Sequence, residues 1–380
     1  MSGVISDNTV RSSGVVAPLS AATLDANNPA NNTNPTDGLG TKWINTTSGQ
    51  MFICTDATTD ANVWQGQTGG VINYSRGIWA GGEIDGISAT NKIQYIEIST
   101  PGNSTDFGDL TEATMAQGSS SNGTTGRGIT GGRVTNLLMN YFTIGTPGNA
   151  TAGGEITHRR WYCAAVSNAT DDRVCWGGGD QVNVGAGHYS DIIDYTTIST
   201  AANATDFGNI SADHKTNNSG YDNGTDGRGC FGGGWTPGVY SANIAYITIG
   251  TPGNSTNFST LSVNRRQGGG TSNGTGNRGI QFGGVAASDG AKTNVIDYFT
   301  ITSTATAVDF GNLSEIASMN APNQMSSGLG QRGVCVLGNV AAGSSNVMEY
   351  ITIDTPSNST DFGDILDDMG SGTGCSNAFG

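Results

Sequence analysis

One short motif recurs six times in this chain and constrains its fold more than any other feature. Each copy is an Arg followed by an apolar run that ends in glycines, as in RGIWAGG from Arg76 and RGCFGGG from Arg228. Successive copies lie roughly fifty residues apart, a period typical of chains built from stacked supersecondary units. The six motifs begin at Arg76, Arg127, Arg173, Arg228, Arg278 and Arg332. The spacing therefore predicts six equivalent structural units.

Each repeat contains three further segments with the pattern of a short strand. Roughly twenty residues after the Arg, polar residues alternate with β-branched or aromatic ones, as in YITIGT from Tyr246, which is typical of a strand with one buried face. A turn rich in Pro, Gly, Asn and Ser follows, then a segment that contains Phe, then a short segment before the next Arg. The Phe segments are centred on Phe107, Phe207, Phe258, Phe310 and Phe362, whereas the second repeat has TAGGEI from Thr151.

Four strands without helical periodicity indicate one antiparallel blade, which must stack on its neighbours to bury both faces. We therefore predict an all-β fold, with a six-bladed β-propeller of four-stranded blades over residues 71–380. The glycine doublets permit positive φ and close backbone approach where the strands turn. The first blade lacks its leading strand, and the C-terminal GTGCSNAFG matches the segment before Arg127. We expect this C-terminal strand to complete the blade that begins at Arg76 and to close the ring.

An apolar strand ending in a Gly pair, then a Tyr, then an aromatic residue further on, resembles the kelch repeat. Phe stands where that family has Trp, and Gly338-Asn339 replaces the last Gly pair, so the chain resembles a divergent member. The resemblance covers the chain from Arg76 onward and implies the fold. Kelch propellers include both enzymes and binding modules, so it implies little about activity.

Composition excludes several classes of function. The formal charge of −15 would repel a phosphate backbone, so we expect no nucleic-acid partner. No apolar run approaches the length needed to span a bilayer, and the N-terminus has no pattern of an export signal, so we expect a soluble protein without membrane insertion. Six Cys occur without a CxxC pair, which predicts small buried hydrophobic residues and neither a zinc nor a thioredoxin-type site. Whether Cys163 and Cys175 are bridged stays open.

The repeated charges have two interpretations. The six Arg that begin the motifs could line one rim of the channel and bind an anion. We favour a structural ion pair, repeated from blade to blade, between these Arg and the Asp of the DFG segments, in bidentate geometry. Those Asp are Asp106, Asp206, Asp309 and Asp361, too few to pair every Arg.

No group of residues predicts catalysis or a cofactor. STDFGDLT from Ser104 resembles the Asp-box of sialidases, which stabilises a turn and is not catalytic; a sialidase would also need a Tyr–Glu pair, an acid–base Asp and three converging Arg. The three His, His158, His188 and His214, lack metal-ligand spacing, and no nucleophile elbow is present. Clusters such as DNGTDG from Asp222 lack the spacing of an EF-hand and are typical of turns, although Ca²⁺ binding stays open. We expect no catalytic, cofactor-binding or metal-binding residue.

Residues 1–70 show no repeat and form a separate N-terminal module in this interpretation. A turn-rich linker from Ala26 to Gly38 precedes a predicted β-hairpin, which alternates apolar residues around a turn at Ser48-Gly49. This stretch, with Gly40, Cys54, Thr55 and Asp56 among its matching positions, resembles a segment found near the N-termini of tail-fibre and other virion proteins of bacterial viruses, particularly marine and cyanobacterial ones. The resemblance implies an attachment role for Trp43, Asn45, Phe52 and Trp64.

The two resemblances together imply a bacteriophage virion structural protein that is not an enzyme. Its N-terminal module would attach to the particle, and its propeller would contact other virion proteins or a host cell-surface glycan, as a homo-oligomer within the virion. The alternative is a carbohydrate-active propeller enzyme of sialidase-like type, and a third interpretation is a general interaction hub. Whether the protein would belong to a tail fibre, another tail part or the head stays open.

Overall fold

A computed structural model describes most of the chain. The described residues are 22–30, 32–46, 51–67, 76–84, 88–123, 126–133, 135–168, 170–181, 189–200, 202–211, 216, 218–286, 290–328 and 331–377. The chain divides into two compact units, Met1–Ile72 and Asn73–Gly380.

The first unit contains one four-stranded sheet. Its strands, in chain order and in sheet order, are β1 (Thr23–Asp25), β2 (Lys42–Asn45), β3 (Met51–Asp56) and β4 (Val63–Gln67). β1 pairs with β2 in parallel, and the other pairs are antiparallel. The hairpin predicted from the alternating apolar residues is thus present as β2 and β3. Its predicted turn at Ser48-Gly49 lies outside the described residues.

The second unit consists of the six repeats. Repeats 1 and 2 contain β5 (Arg76–Ala80), β6 (Glu83–Ile84), β7 (Ser88–Glu97), β8 (Thr105–Thr114), β9 (Gly118–Ser121), β10 (Arg127–Gly131), β11 (Leu138–Thr143) and β12 (Thr151–Glu155). Repeats 3 and 4 contain β13 (Arg160–Trp161), β14 (Ala164–Asn168), β15 (Arg173–Gly177), β16 (Asp180–Gln181), β17 (Ile192–Thr197), β18 (Thr205–Asn209), β19 (Ser219–Asp222), β20 (Arg228–Gly232), β21 (Trp235–Thr236), β22 (Val239–Tyr240), β23 (Asn243–Thr248) and β24 (Thr256–Thr260).

Repeats 5 and 6 and the C-terminal segment, which returns to repeat 1, complete the unit. They contain β25 (Arg265–Arg266), β26 (Gly269–Ser272), β27 (Arg278–Ala286), β28 (Ala291–Thr300), β29 (Val308–Ser318), β30 (Met325–Ser326), β31 (Arg332–Val340), β32 (Gly343–Thr352), β33 (Thr360–Asp364), β34 (Met369–Gly370) and β35 (Thr373–Ser376). Short 3-10 turns at Gly224–Asp226 and Gly274–Gly276 are the only helical segments that the structure describes, so the predicted all-β class is confirmed. No helix among the described residues is long and apolar enough to cross a membrane.

One antiparallel pairing scheme holds in every repeat. We name its strands A, B, C and D, where B begins with the repeated Arg, C contains the Tyr, D follows C, and A pairs with the other edge of B. In repeat 1, strand A is β35: Cys375 lies opposite Ile78 and Thr373 opposite Ala80. The predicted pairing of the C-terminal strand with the first repeat is therefore present. In repeats 1 to 6 the A strands are β35, β9, β14, β19, β26 and β30.

The A strands lie against one another in a fixed order. Each contacts its neighbours in the series β35, β9, β14, β19, β26 and β30, and β30 also contacts β35. Side chains join successive members: the hydroxyl of Ser119 donates to the carbonyl oxygen of Gly374 over 2.6 Å, and that of Ser167 donates to Ser121 over 2.6 Å. The D strand of repeat 5 also pairs with the B strand of repeat 6, which joins their sheets.

The apolar core lies between the sheets and uses the residues that define the repeat. Five repeats pack the Tyr of strand C edge-on against the Phe of strand D, with ring centroids 5.4 to 6.1 Å apart. Repeat 2 lacks this Phe, yet Thr151–Glu155 still forms its D strand. The position of this D strand beside strand C is therefore set by backbone pairing and does not require the aromatic pair.

Removal of residues 372–380 should strongly destabilise the second unit, because strand B of repeat 1 would lose its inner partner and the buried Trp79 would lose its cover. We expect the thermal midpoint of this unit to fall by more than about 10 °C, or its cooperative unfolding to be lost. Circular dichroism melts would measure this. Deletion of residues 1–72 is the control and should leave that midpoint unchanged; equal melts of the truncated and full chains would contradict the pairing.

Candidate functional site

The six repeated Arg lie at the junctions between repeats. Each guanidinium stacks over the Tyr ring of its own repeat, with the carbon Cζ 4.0 to 4.6 Å from the ring centroid. Each Nη1 also donates to a carbonyl oxygen of the following repeat. Arg76, Arg127, Arg173, Arg228, Arg278 and Arg332 donate to Ile144, Ile198, Ile249, Ile301, Ile353 and Ile98, over 2.8 to 3.2 Å. Repeat 6 thus bonds to repeat 1.

The prediction that these Arg pair with the DFG Asp is wrong. The four acids, Asp106, Asp206, Asp309 and Asp361, are exposed, and no ion pair among the described residues joins one of them to a repeated Arg. Strand register explains the outcome. Arg173 lies opposite Thr197 on strand C, whereas Asp206 lies opposite Asp194, three residues and about 10 Å further along. Asp206 instead accepts a bond from the backbone of Gly208 within the same strand, where the register of the pair is irregular.

The same contacts weigh against the alternative of an open anion site. The repeated guanidiniums are partly buried and already bonded to carbonyl oxygens. Arg76 additionally pairs with Glu97 of its own repeat, at 3.0 Å. The side chains therefore hold one repeat to the next and do not converge on a shared ligand.

The Gly of the DFG segment marks a second contact between repeats. Gly208 has φ of +144°, and a Cβ placed there would lie 2.5 Å from the carbonyl oxygen of Gly253 in the next turn. Beside it, the amide of Asn209 donates to the side chain of Asn254 over 2.9 Å. Equivalent Asn side chains accept from the preceding repeat at Asn103, Asn149, Asn203 and Asn358. The turn after strand C of one repeat thus packs against strand D of the preceding repeat.

A buried polar side chain on strand C forms a third contact, which the sequence analysis missed. Asp194 accepts a bond from Thr157 of the preceding repeat, and Asp297 accepts one from Ser262. Both acids also pair with a fully buried Arg, namely Arg160 at 2.7 Å and Arg265. Burial lowers the pKa of Arg265, while Asp297 opposes that shift. The equivalent acceptors in repeats 1, 2 and 6 are Gln94, Asn140 and Glu349.

The A strands surround a small polar cavity of about 30 Å³, which has room for a few water molecules. Seven of its seventeen lining residues are Ser or Thr. Its one carboxyl group, among the described residues, is Asp222, whose pKa burial raises to about 6, opposed by bonds from the backbone of Ser167 and Gly224. Tyr221 also borders the cavity, but its hydroxyl bonds to Gln281. The cavity therefore lacks a second carboxyl group for acid–base catalysis of glycoside hydrolysis.

In the part of the chain that the structure describes, no group of side chains is placed to bind a metal ion or to carry out thiol chemistry. No three His, Cys, Asp or Glu residues are placed to hold a metal ion. All six Cys are free and buried; Cys175 lies opposite Val166, and burial raises its pKa. His158 is exposed, whereas His188 and His214 lie outside the described residues.

The residues predicted for particle attachment share the sheet of the first unit. Trp43 lies opposite Phe52, and its ring packs edge-on against Trp64 with centroids 5.9 Å apart. The indole nitrogen of Trp43 donates to the carbonyl oxygen of Asn27, and the amide of Asn45 donates to Asn28. Trp43 and Asn45 thus connect the sheet to the preceding linker, while Phe52 and Trp64 pack beside Trp43.

Comparisons of the sequence with models of known protein families and with curated proteins find no match.

Substitution of Gly208 by Ala should lower the free energy of unfolding by about 2–4 kcal/mol, because the new Cβ would meet the backbone of the next turn at a strained φ. Gly253→Ala is the matched control, since nothing lies within 4 Å of its Cβ position and its φ is not positive. It should change stability by less than about 0.5 kcal/mol. Urea unfolding would measure both; similar losses for the two variants would contradict the docking contact.

A double-mutant cycle on Arg278 and Tyr298 should give a favourable coupling energy of about 0.5–2 kcal/mol, because the guanidinium lies 4.6 Å from the ring centroid. Arg278→Met, Tyr298→Leu and the double variant would be compared by urea unfolding. Arg278 with Phe310 of the neighbouring strand serves as the control pair. A coupling near zero for Arg278 and Tyr298 would show that the stacking does not contribute.

Proposed function

We propose that the six repeats close into a six-bladed β-propeller that serves as a non-catalytic structural protein of a bacterial virus particle. The observation that carries the proposal is the cyclic order of the contacts between repeats. Each repeat donates an Arg to the next, Arg332 of repeat 6 donates to Ile98 of repeat 1, and strand A of repeat 1 comes from the C-terminus. Closure by the last strand pairs an edge of strand B of repeat 1 that would otherwise be open, and it leaves only the short outer strands as sheet edges.

The distribution of charge supports a scaffold over a hydrolase. Two of the fully buried cations, Arg160 and Arg265, are paired with Asp194 and Asp297 within their own repeat regions, whereas the guanidinium nitrogens of the buried Arg133 have no partner among the described residues. An enzyme of sialidase-like type needs carboxyl groups or a Tyr–Glu pair in one cleft, together with three converging Arg. The residues of the Asp-box-like segment instead serve packing: Ser104 bonds to Gln94, and Thr111 bonds to Asn140.

The assignment to a virion rests on the resemblance of residues 1–70 to the N-terminal segments of tail-fibre and related virion proteins. In this proposal the sheet that contains Trp43, Phe52 and Trp64 attaches to other virion proteins. The propeller contacts a neighbouring subunit or a host cell-surface glycan, and the protein is a homo-oligomer in the particle. A fold held by many repeated contacts suits a component that must persist outside the cell.

Fractionation of lysates from cells infected with the virus that encodes this chain tests the assignment. An antibody raised against the full-length protein should detect it in the density-gradient fractions that contain particles. The purified protein should release no fluorophore from a fluorogenic sialoside, because no catalytic carboxyl pair is present in the described cavity. Absence from particles would contradict the virion assignment, and hydrolysis lost on heat denaturation would contradict the non-catalytic one.

A further inference from the structure

A group of half-buried aromatic side chains lies in repeats 3 and 4, around a position that differs from repeat to repeat. The position seven residues after the repeated Arg is Glu83 in repeat 1, Val285 in repeat 5 and Asn339 in repeat 6. In repeat 4 it is Trp235, and in repeat 3 it is Asp180. We define the aromatic cluster as Trp161, Tyr162, Tyr189, Trp235 and Tyr240.

The members of the aromatic cluster are continuous in space. Tyr189 packs edge-on against Trp235, with centroids 4.8 Å apart at 79°. Trp161 and Tyr162 lie side by side, with centroids 5.0 Å apart at 33°. Asp180 joins the two pairs, because it lies opposite Trp161 in one strand pair and opposite Tyr189 in a β-bridge.

Two charged groups complete the surface. The guanidinium carbon of Arg266 lies 5.6 Å from the ring of Trp235 and 5.2 Å from the ring of Tyr240, and Arg266 forms no ion pair with a described residue. Asp180 bonds to the side chain of Thr216, while its Oδ1 is buried and has no partner among the described residues. The Nε of Arg266 is likewise buried without a partner. Buried polar atoms of this kind are commonly completed by water or a ligand.

We propose that the aromatic cluster, with Asp180 and Arg266, binds a neutral pyranose unit of a surface glycan. One face of a pyranose ring presents C–H groups that pack on an aromatic ring, while its hydroxyls both donate and accept hydrogen bonds. The free oxygen of Asp180 would accept from a hydroxyl, and Arg266 would donate to one. This inference rests on the proposed contact between the propeller and a host-surface glycan, and it assigns that contact to the aromatic cluster.

The charge around the site selects neutral sugars. Burial, the largest cause, and the carboxyl groups of Glu83 and Asp180 raise the pKa of Tyr162, whereas the guanidinium of Arg266 opposes that shift, so two negative groups and one positive group act at the cluster. With a formal charge of −15 on the whole chain, a sugar that carries a carboxylate would be repelled. Half-buried rings held by edge-on packing also bind with little loss of side-chain entropy.

An array of immobilised pyranose oligosaccharides, neutral and acidic, would be probed with the full-length protein and with the variants Trp235→Ala and Tyr189→Ala. Asn339→Ala is the matched control, because it occupies in repeat 6 the place that Trp235 occupies in repeat 4. A soluble form of each bound sugar would then be titrated by tryptophan fluorescence. We expect binding to neutral glycans, an affinity loss of at least about tenfold for both aromatic variants, and wild-type affinity for the control.

Circular dichroism melts would establish that each variant is folded at the assay temperature, and Trp235→Phe, which keeps a ring, should retain part of the affinity. Loss of binding in both aromatic variants with the control unaffected supports the site. Equal binding by all variants, or binding to acidic sugars alone, overturns the site and leaves glycan contact by the propeller in place. No binding to any sugar overturns both, whereas the particle fractionation still tests the virion assignment by itself.

Discussion

Attachment of each sheet to the next is the constraint on which the rest of this structure depends. A single four-stranded sheet buries too little apolar surface to fold alone, so the repeats need specific junctions. One guanidinium performs two roles there: its face covers the Tyr ring of its own repeat, and its Nη1 satisfies a carbonyl oxygen of the following one. A Lys at this position would lack the planar fork that allows both contacts at once. This requirement explains why Arg and Tyr recur together in every repeat.

The elements could be predicted from the sequence because each is local. Alternation specifies a strand, a cluster of Pro, Gly and Asn specifies a turn, and the likeness of the C-terminal segment to the one before Arg127 specifies its partner. The partner of the repeated Arg could not be predicted, because it depends on register. In repeat 3 the register of strands C and D shifts between Ile193 and Asp194. That irregularity lies at Gly208, which has a positive φ and approaches the next turn closely, and a pattern of residue types does not reveal it.

The buried polar position of strand C distinguishes repeats that are otherwise similar. It is Gln94, Asn140, Asp194, Ala245, Asp297 and Glu349 in repeats 1 to 6. Where an acid is matched with a buried Arg, removal of one partner leaves an uncompensated charge, whereas replacement of both by apolar residues can be neutral. We infer that the value of these pairs lies in specificity. The hydroxyl of Thr157 or Ser262 in the preceding repeat bonds to the same acid, so each pair also fixes where strand C meets the sheet before it.

The same logic explains how one surface can diverge without loss of the fold. The junction positions are occupied by Arg, Tyr, Gly and Asn in almost every repeat, because each makes a contact that no other residue type reproduces. The position seven residues after the Arg follows the glycines of the motif and makes none of these side-chain contacts, although the backbone of Asn339 in repeat 6 pairs with Ser318 of repeat 5. It therefore accepts Glu, Val, Asn, Asp or Trp at little cost to stability. Trp235 of the aromatic cluster and Asp180 occupy this variable position. A repetitive scaffold thereby presents one surface that differs from repeat to repeat.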